Sequence, residues 1–200
     1  MGNSTNEFSK SRPQRLCHMC GKCCRVVVAA TVTPKTYEEL KSIADAGDES
    51  AIDFLRVFEP YSSVEDARKV SKETVENILL ALDEAGTYDE KNVTFYKCKY
   101  LMDNNLCGIY ENRPQLCDNF PVSCWAVVPP GCGFEGWLFQ KREERKQKIR
   151  KFKENILSLE TTMKELEADG EFEQIKKVED IIEKLTKTIS LYDKYGAQDW

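Results

Sequence analysis

Histidine is almost missing from this chain: His18 is the single one among 200 residues. No glycine-rich dinucleotide or phosphate loop and no His-Glu hydrolase motif occurs in the sequence. Chemistry built on several imidazoles around a metal, or on a loop that cradles phosphate, therefore finds no residues to work with. Long apolar runs are missing too. None is longer than Val26–Ala30, far short of the roughly 20 residues of a membrane-spanning helix. The first sixteen residues are polar and lack the apolar stretch of a signal peptide. Asn6 stands where a myristoylation motif wants Ser or Thr. Residues 1–16 read as a disordered leader, with the cytoplasm as the expected compartment and no membrane contact. A cationic surplus is also lacking. The net charge of −5 argues against general nucleic-acid binding, which needs a positive face.

Cysteine, by contrast, is abundant. Nine occur, and a reducing compartment leaves disulfides little part in explaining them. Scattered burial would account for isolated thiols, but these are grouped. Four lie within Cys17–Cys24 and five within Cys98–Cys132. The two bursts read as halves of one ligand set brought together by folding.

Between the bursts, Arg25–Val32 is rich in β-branched residues and predicts a strand. Thr33-Pro34 gives an N-cap and a first-turn proline, predicting a helix to about Ala46 that Gly47 ends. A second helix is expected over Glu49–Phe58, stopped by Pro60. A third, capped by Ser63 or Ser71, is expected to run to Ala85. Segment 34–86 thus reads as a helical insertion. Val93–Tyr96 predicts a short strand into Cys98, and the chain onward to Gly136 is rich in turns. So little apolar area there suggests that a metal supplies the stability packing does not. Beyond it, Ile149, Phe152, Ile156, Leu159, Met163 and Leu166 recur at spacings of three and four. A second series runs Phe172, Ile175, Val178, Ile182, Leu185, Ile189, Tyr192 after Asp169-Gly170. Two such stripes across a short gap predict an antiparallel helical hairpin over 137–200. The basic run Lys141–Lys153 is expected to be its solvated face. The predicted class is α+β and predominantly helical. A small cysteine-rich metal-binding core spans 17–136, with few short strands, the insertion and the hairpin.

Cys17-x2-Cys20-x2-Cys23 puts three thiols on one tight loop, and thiolates suit both zinc and iron–sulfur clusters. Cys24 adjoins Cys23, so both can hardly reach one metal atom without strain. It is left for a second site, a supporting thiol or burial. Cys98-x8-Cys107-x9-Cys117 has no zinc-finger spacing of its own and makes sense as the complement of the first burst. Arg113-Pro114 predicts a helix start whose dipole favours the Cys117 thiolate. Cys132 lies between Gly131 and Gly133, where backbone amides can approach a sulfur. Cys124, beside Trp125, reads as buried and not a ligand.

The combined pattern Cys17-x2-Cys20-Gly21-x-Cys23-Cys24-Arg25 and Cys98-x8-Cys107-Gly108-Ile109-Tyr110-Glu111-x-Arg113-Pro114-x2-Cys117-x2-Phe120-Pro121 resembles the YkgJ-type cysteine-cluster proteins. These are described as zinc- or iron-chelating domains with a C-x-x-C-x-x-C-C motif. The resemblance implies metal chelation through Cys17, Cys20, Cys23, Cys24, Cys98, Cys107 and Cys117, and Cys132 joins them as an eighth candidate. One departure is Asp118, where the family often has a basic residue. Tyr110, Arg113 and Pro114 are read as fixing the turn that presents Cys117. An iron–sulfur cluster, expected as 4Fe-4S, is preferred to zinc, because three thiols share one loop and because the family is similar to a cluster-containing domain of flagellin lysine methylases. No catalytic residue is predicted. The expected function is metal binding, with the hairpin offering a surface to a protein partner or to a second copy. The alternatives are an iron–sulfur enzyme of the radical or methyl-transfer type, by analogy with those methylases, and a redox or metal sensor.

Overall fold

The computed structural model describes residues 13–29, 35–84, 86 and 92–195. The expected leader, the Thr33-Pro34 cap and the end of the predicted first strand lie wholly or mostly outside them. Two compact units are present. One runs to Val122 and takes in Ala126–Gly136; the other joins Ser123–Trp125 to the chain from Trp137 onward.

The first unit is built on a three-stranded antiparallel sheet of β1 (Val27–Val28), β2 (Phe58–Pro60) and β3 (Phe95–Cys98). β3 is central. It pairs Val27 with Tyr96 and Val28 with Phe95 on one side, and Phe58 with Cys98 on the other. Alternate residues of a strand face opposite ways, and β3 uses both directions. Phe95 enters a core with Val26, Val28 and the buried face of helix α4 (Val64–Glu84), which follows α1 (Lys22–Arg25), α2 (Tyr37–Asp45) and α3 (Glu49–Val57). Tyr96 enters the other core with Leu40, Ala51, Val57 and Phe58. That second layer comes from α2 (Tyr37–Asp45) and α3 (Glu49–Val57). The segment expected as a helical insertion therefore does more than bridge the bursts. It contributes strand β2, which sequence reading missed because Glu59 and Pro60 carry little strand propensity.

Local chemistry sets the helix ends. α2 starts one turn later than Thr33-Pro34 suggested, because Thr36 and Glu39 form a reciprocal capping box. Asp48 caps α3 through the Ala51 amide. Both serines proposed as caps act within α4. Ser63 accepts from the Asp66 amide, while Ser71 interrupts the helix with extended backbone and bonds the buried Thr74 hydroxyl at 2.8 Å. Of the strand predicted from Arg25, the described residues place Val27–Val28 in β1, while Arg25 closes the one-turn helix α1 (Lys22–Arg25).

In the second unit, α6 (Glu135–Asp169) and α7 (Phe172–Tyr195) are packed together. Gly170, in the left-handed region at φ 73°, ends α6 with the Glu171 amide bonded back to Leu166. Along α6 the half-buried positions include Ile149, Phe152, Ile156, Leu159, Met163 and Leu166, as the periodicity predicted. Phe172 departs from its stripe and is 79% exposed, because it occupies the first turn beside the reversal.

Candidate metal centre

Cysteines in this chain are presented by loops that lean on a few backbone contacts. Gly21 turns the chain at φ 68° so that α1 can begin. A side chain there would bring its Cβ within 2.5 Å of the Asn105 carbonyl oxygen and 2.9 Å of Leu101. Glycine thus lets the knuckle seat directly against the loop 100–108. Arg25 reinforces the seat by donating to the Asn105 side chain, and Tyr61 donates to the Arg25 carbonyl at 2.6 Å. The loop folds back on itself through Met102 N–H to Leu106 O at 2.9 Å and Gly108 N–H to Tyr100 O at 2.8 Å. Asn105 takes the left-handed conformation, φ 67°, that asparagine tolerates.

Strand β3 ends at Cys98, on the same face as Tyr96. Its sulfur accepts the Tyr100 N–H at 3.4 Å, and the Leu101 N–H points at it as well. Cys117 lies on the one-turn helix α5 (Gln115–Asp118) and packs, with Leu116 and Cys98, against the core around Tyr96. The segment that presents it is fixed by Arg113, which stacks 4.0 Å over the Tyr110 ring and pairs with Asp118 at 2.7 Å. Asp118, the departure from the family pattern, thus serves as the partner of Arg113.

Two groups of thiols result. Cys23, Cys24, Cys98, Cys107 and Cys117 form the first. The Cys24 thiol hydrogen-bonds those of Cys23 and Cys98 and feels the charge of Cys117. Its ionisation is pushed far above the ordinary thiol range, first by the Cys23 hydrogen bond, then by burial, against a lowering by Cys98. Cys98 is pushed up likewise, first by its bond with Cys24 and then by burial, with the Tyr100 and Leu101 amides acting the other way. Cys117 is pushed up to about 11, by burial first and then by Cys98 and Cys107, with Arg113 offsetting part. The expectation that a helix dipole favours the Cys117 thiolate is therefore corrected: one helical turn supplies little dipole, and burial beside other thiols outweighs it.

The second group is Cys17, Cys20 and Cys132. Cys17 and Cys20 are exposed in irregular chain before Gly21. Cys132 receives the Phe134 N–H; burial raises it most, and the charges of Cys20 and Cys17 raise it further. Of the loop read from Cys17, Cys20 and Cys23, irregular chain carries Cys17 and Cys20 and the one-turn helix α1 carries Cys23. Cys124 is 1% exposed and lies in the second unit, its carbonyl accepting from Arg142 at 2.6 Å. No disulfide joins any of the nine cysteines.

The donor chemistry fits a soft metal. Crowded, half-buried thiols oppose one another's ionisation until a cation joins them, which makes such a set a better cation host than a set of free acids. Among the described residues, no three His, Cys, Asp or Glu side chains already surround one point as they would a bound ion, so ligation requires side-chain rotation. Sequence reading missed the Gly21–Asn105 seat and the Tyr100 and Leu101 amides. The glycine inside the C-x-x-C-G-x-C-C run was the available signal for the first.

A family model described as "CxxCxxCC: Putative zinc- or iron-chelating domain" matches residues 16–162. The chain belongs to that family. No curated protein and no solved structure matches it. Among the described residues, no helix is long and apolar enough to cross a membrane.

Proposed function

We propose that the chain holds an iron–sulfur cluster through thiolates of Cys24, Cys98, Cys107 and Cys117, with Cys23 beside them, and that its function is metal binding, without a catalytic site of its own. The observation that carries this reading is the meeting of Cys24, Cys98 and Cys117, which come from three separate segments of chain. Both a tetrahedral zinc and a 4Fe-4S cluster take four of these five thiols, so the preference for the cluster rests on the resemblance to the cluster-containing domain. Such a group supplies a stable cross-link between knuckle and arm and, for a cluster, an electron-accepting centre. Nine cysteines grouped as candidate ligands fit a reducing compartment, the cytoplasm. Exposed Leu157 and Phe172, 64% and 79%, support the hairpin as a surface for a protein partner or a second copy.

Anaerobic purification followed by elemental analysis and a visible spectrum tests the centre. Iron with acid-labile sulfide supports the cluster. Colourless protein with stoichiometric zinc replaces it by zinc in the same thiols. Folded protein with no metal sinks the proposal. Cys117→Ser should lower the metal content and Cys124→Ser should leave it unchanged.

A further inference from the structure

Helix α6 changes sign along its length. From Lys141 to Lys153 it carries eight basic residues and two acids, Glu143 and Glu144. From Glu154 to Asp169 it carries five acids and one base, Lys164. Lys146, Lys153, Glu160 and Glu167 follow one another at intervals of seven, and all four are exposed. That spacing keeps them on one edge of the helix beside its apolar stripe, with a drift of about 20° per heptad. Leu157 lies on the same side where the sign changes, four residues after Lys153 and three before Glu160, and is 64% exposed. Among the described residues, Lys153, Glu160 and Glu167 enter no ion pair. Lys146 meets Glu143 of its own helix at 2.8 Å, an exposed pair that contributes little.

Packing against α7 does not complete the burial of the stripes. The stripe positions from Ile149 to Leu166 in α6, and from Ile175 to Leu185 in α7, stay half-buried. Leu138, near the start of α6, is by contrast 1% exposed. Two helices cover only one side of an apolar seam, whereas a bundle of four encloses it.

We propose that the hairpin pairs with the hairpin of a second copy of this chain, α6 against α6 and antiparallel, about a twofold axis near Ile156 and Leu157. The proposal rests on the reading of the hairpin as an association surface and commits that surface to one occupant. In this arrangement Lys153 lies opposite Glu160 of the second copy and Lys146 opposite its Glu167, and the twofold repeats both pairs. Charges flanking an apolar seam set partner and orientation. A parallel pairing would oppose Lys153 to Lys153 and Glu160 to Glu160, so this edge selects the antiparallel one. Leu157 then meets its own counterpart at the axis and leaves water. Lys164, the single cation of the acidic half, is the one charge the pairing does not use.

Sedimentation equilibrium of the full chain, purified with its metal and kept under reductant, tests this across protein and salt concentrations. A dimer is expected, weakened by salt because exposed charges are screened. Lys146→Glu with Lys153→Glu should weaken it about tenfold or more by opposing like charges. Glu160→Lys with Glu167→Lys should do the same. One variant's edge is then wholly acidic and the other's wholly basic, so mixing the two should restore a dimer containing one copy of each. Should either double variant lose helix by circular dichroism, Leu157→Gln reads the same face and should weaken the dimer with the helix intact. A parent that is monomeric at every concentration overturns the proposal and leaves the association surface to a different protein. So does a mixture that stays monomeric. A dimer indifferent to both charge sets and to Leu157 forms elsewhere on the chain, and overturns the proposal together with the reading it rests on.

Discussion

From Ile149 onward in helices α6 and α7 partial burial recurs every three or four residues, and the two helices are packed together. From Cys98 to Phe120, by contrast, no residue is fully buried, and order comes from turns, a glycine seat and an arginine stacked on a tyrosine. The hairpin is held by area removed from water, which grows with every helical turn. The arm has no such reserve. Its stability depends on a few directional contacts and on whatever joins its sulfurs. The difference teaches where a metal matters: a cross-link stabilises most where apolar packing contributes least.

Removing the metal is the strongest way to separate the two regions. Structural zinc in small sites contributes on the order of 10–16 kcal/mol, more than the whole stability of many domains. Chelation of the purified chain should therefore expose the amides of Met102, Asn105 and Gly108 to rapid hydrogen exchange. The amides in the middle of α6 should keep their protection. Equal loss in both regions would end the distinction drawn between them.

A core substitution probes the layer between these extremes. Leu82 is completely buried in the α4 core against the sheet, and Leu82→Ala should cost about 2–5 kcal/mol in denaturant unfolding. Metal content should stay intact in the folded fraction, because that core lies on the Phe95 face of β3 and the thiol of Cys98 on the other. Gly21→Ala should cost less, about 1–3 kcal/mol, from a left-handed backbone and the close Asn105 oxygen. Unlike the core substitution, it should also weaken metal retention, because it separates the knuckle from the arm. Stability lost without metal lost would detach the seat from the centre.

The hairpin was legible in the sequence because periodicity is a local property, repeated often enough to outvote exceptions such as Phe172. Helices α3 and α4 were legible for a related reason: Pro60, Gly86 and the capping serines mark their ends. The sheet was only half legible. Strand β2 has three residues, two of them Glu59 and Pro60, and it exists because β3 offers it an edge. Cysteine clustering pointed to a metal, yet spacing along the chain could not show which remote thiols the Cys24 thiol meets, Cys98 and Cys117. That meeting depends on Gly21, which seats the knuckle on the loop 100–108. The environment of Cys117 was misjudged for the same reason, since its burial is set by residues from α2, α3 and β3 and not by its own helix.

The smallest effect is expected at the hinge of both arguments, Tyr96. It is fully buried at the centre of β3, two residues from Cys98, and its hydroxyl makes no well-formed hydrogen bond, with Thr94 beside it. An unsatisfied buried hydroxyl is a liability, so Tyr96→Phe should leave stability within roughly 1 kcal/mol of the parent or slightly above it near neutral pH. Burial pushes the Tyr96 phenol up to about 12, higher than the ordinary tyrosine value near 10. A raised value means that the neutral phenol's contribution is fully present below about pH 10 and is lost as pH climbs toward 12. Tyr96→Phe should therefore resist alkaline unfolding better than the parent over that interval, while the two remain alike at pH 7. A marked loss at neutral pH would instead mean that the hydroxyl has a partner, and that the end of β3 presenting Cys98 is held by a polar contact as well as by packing.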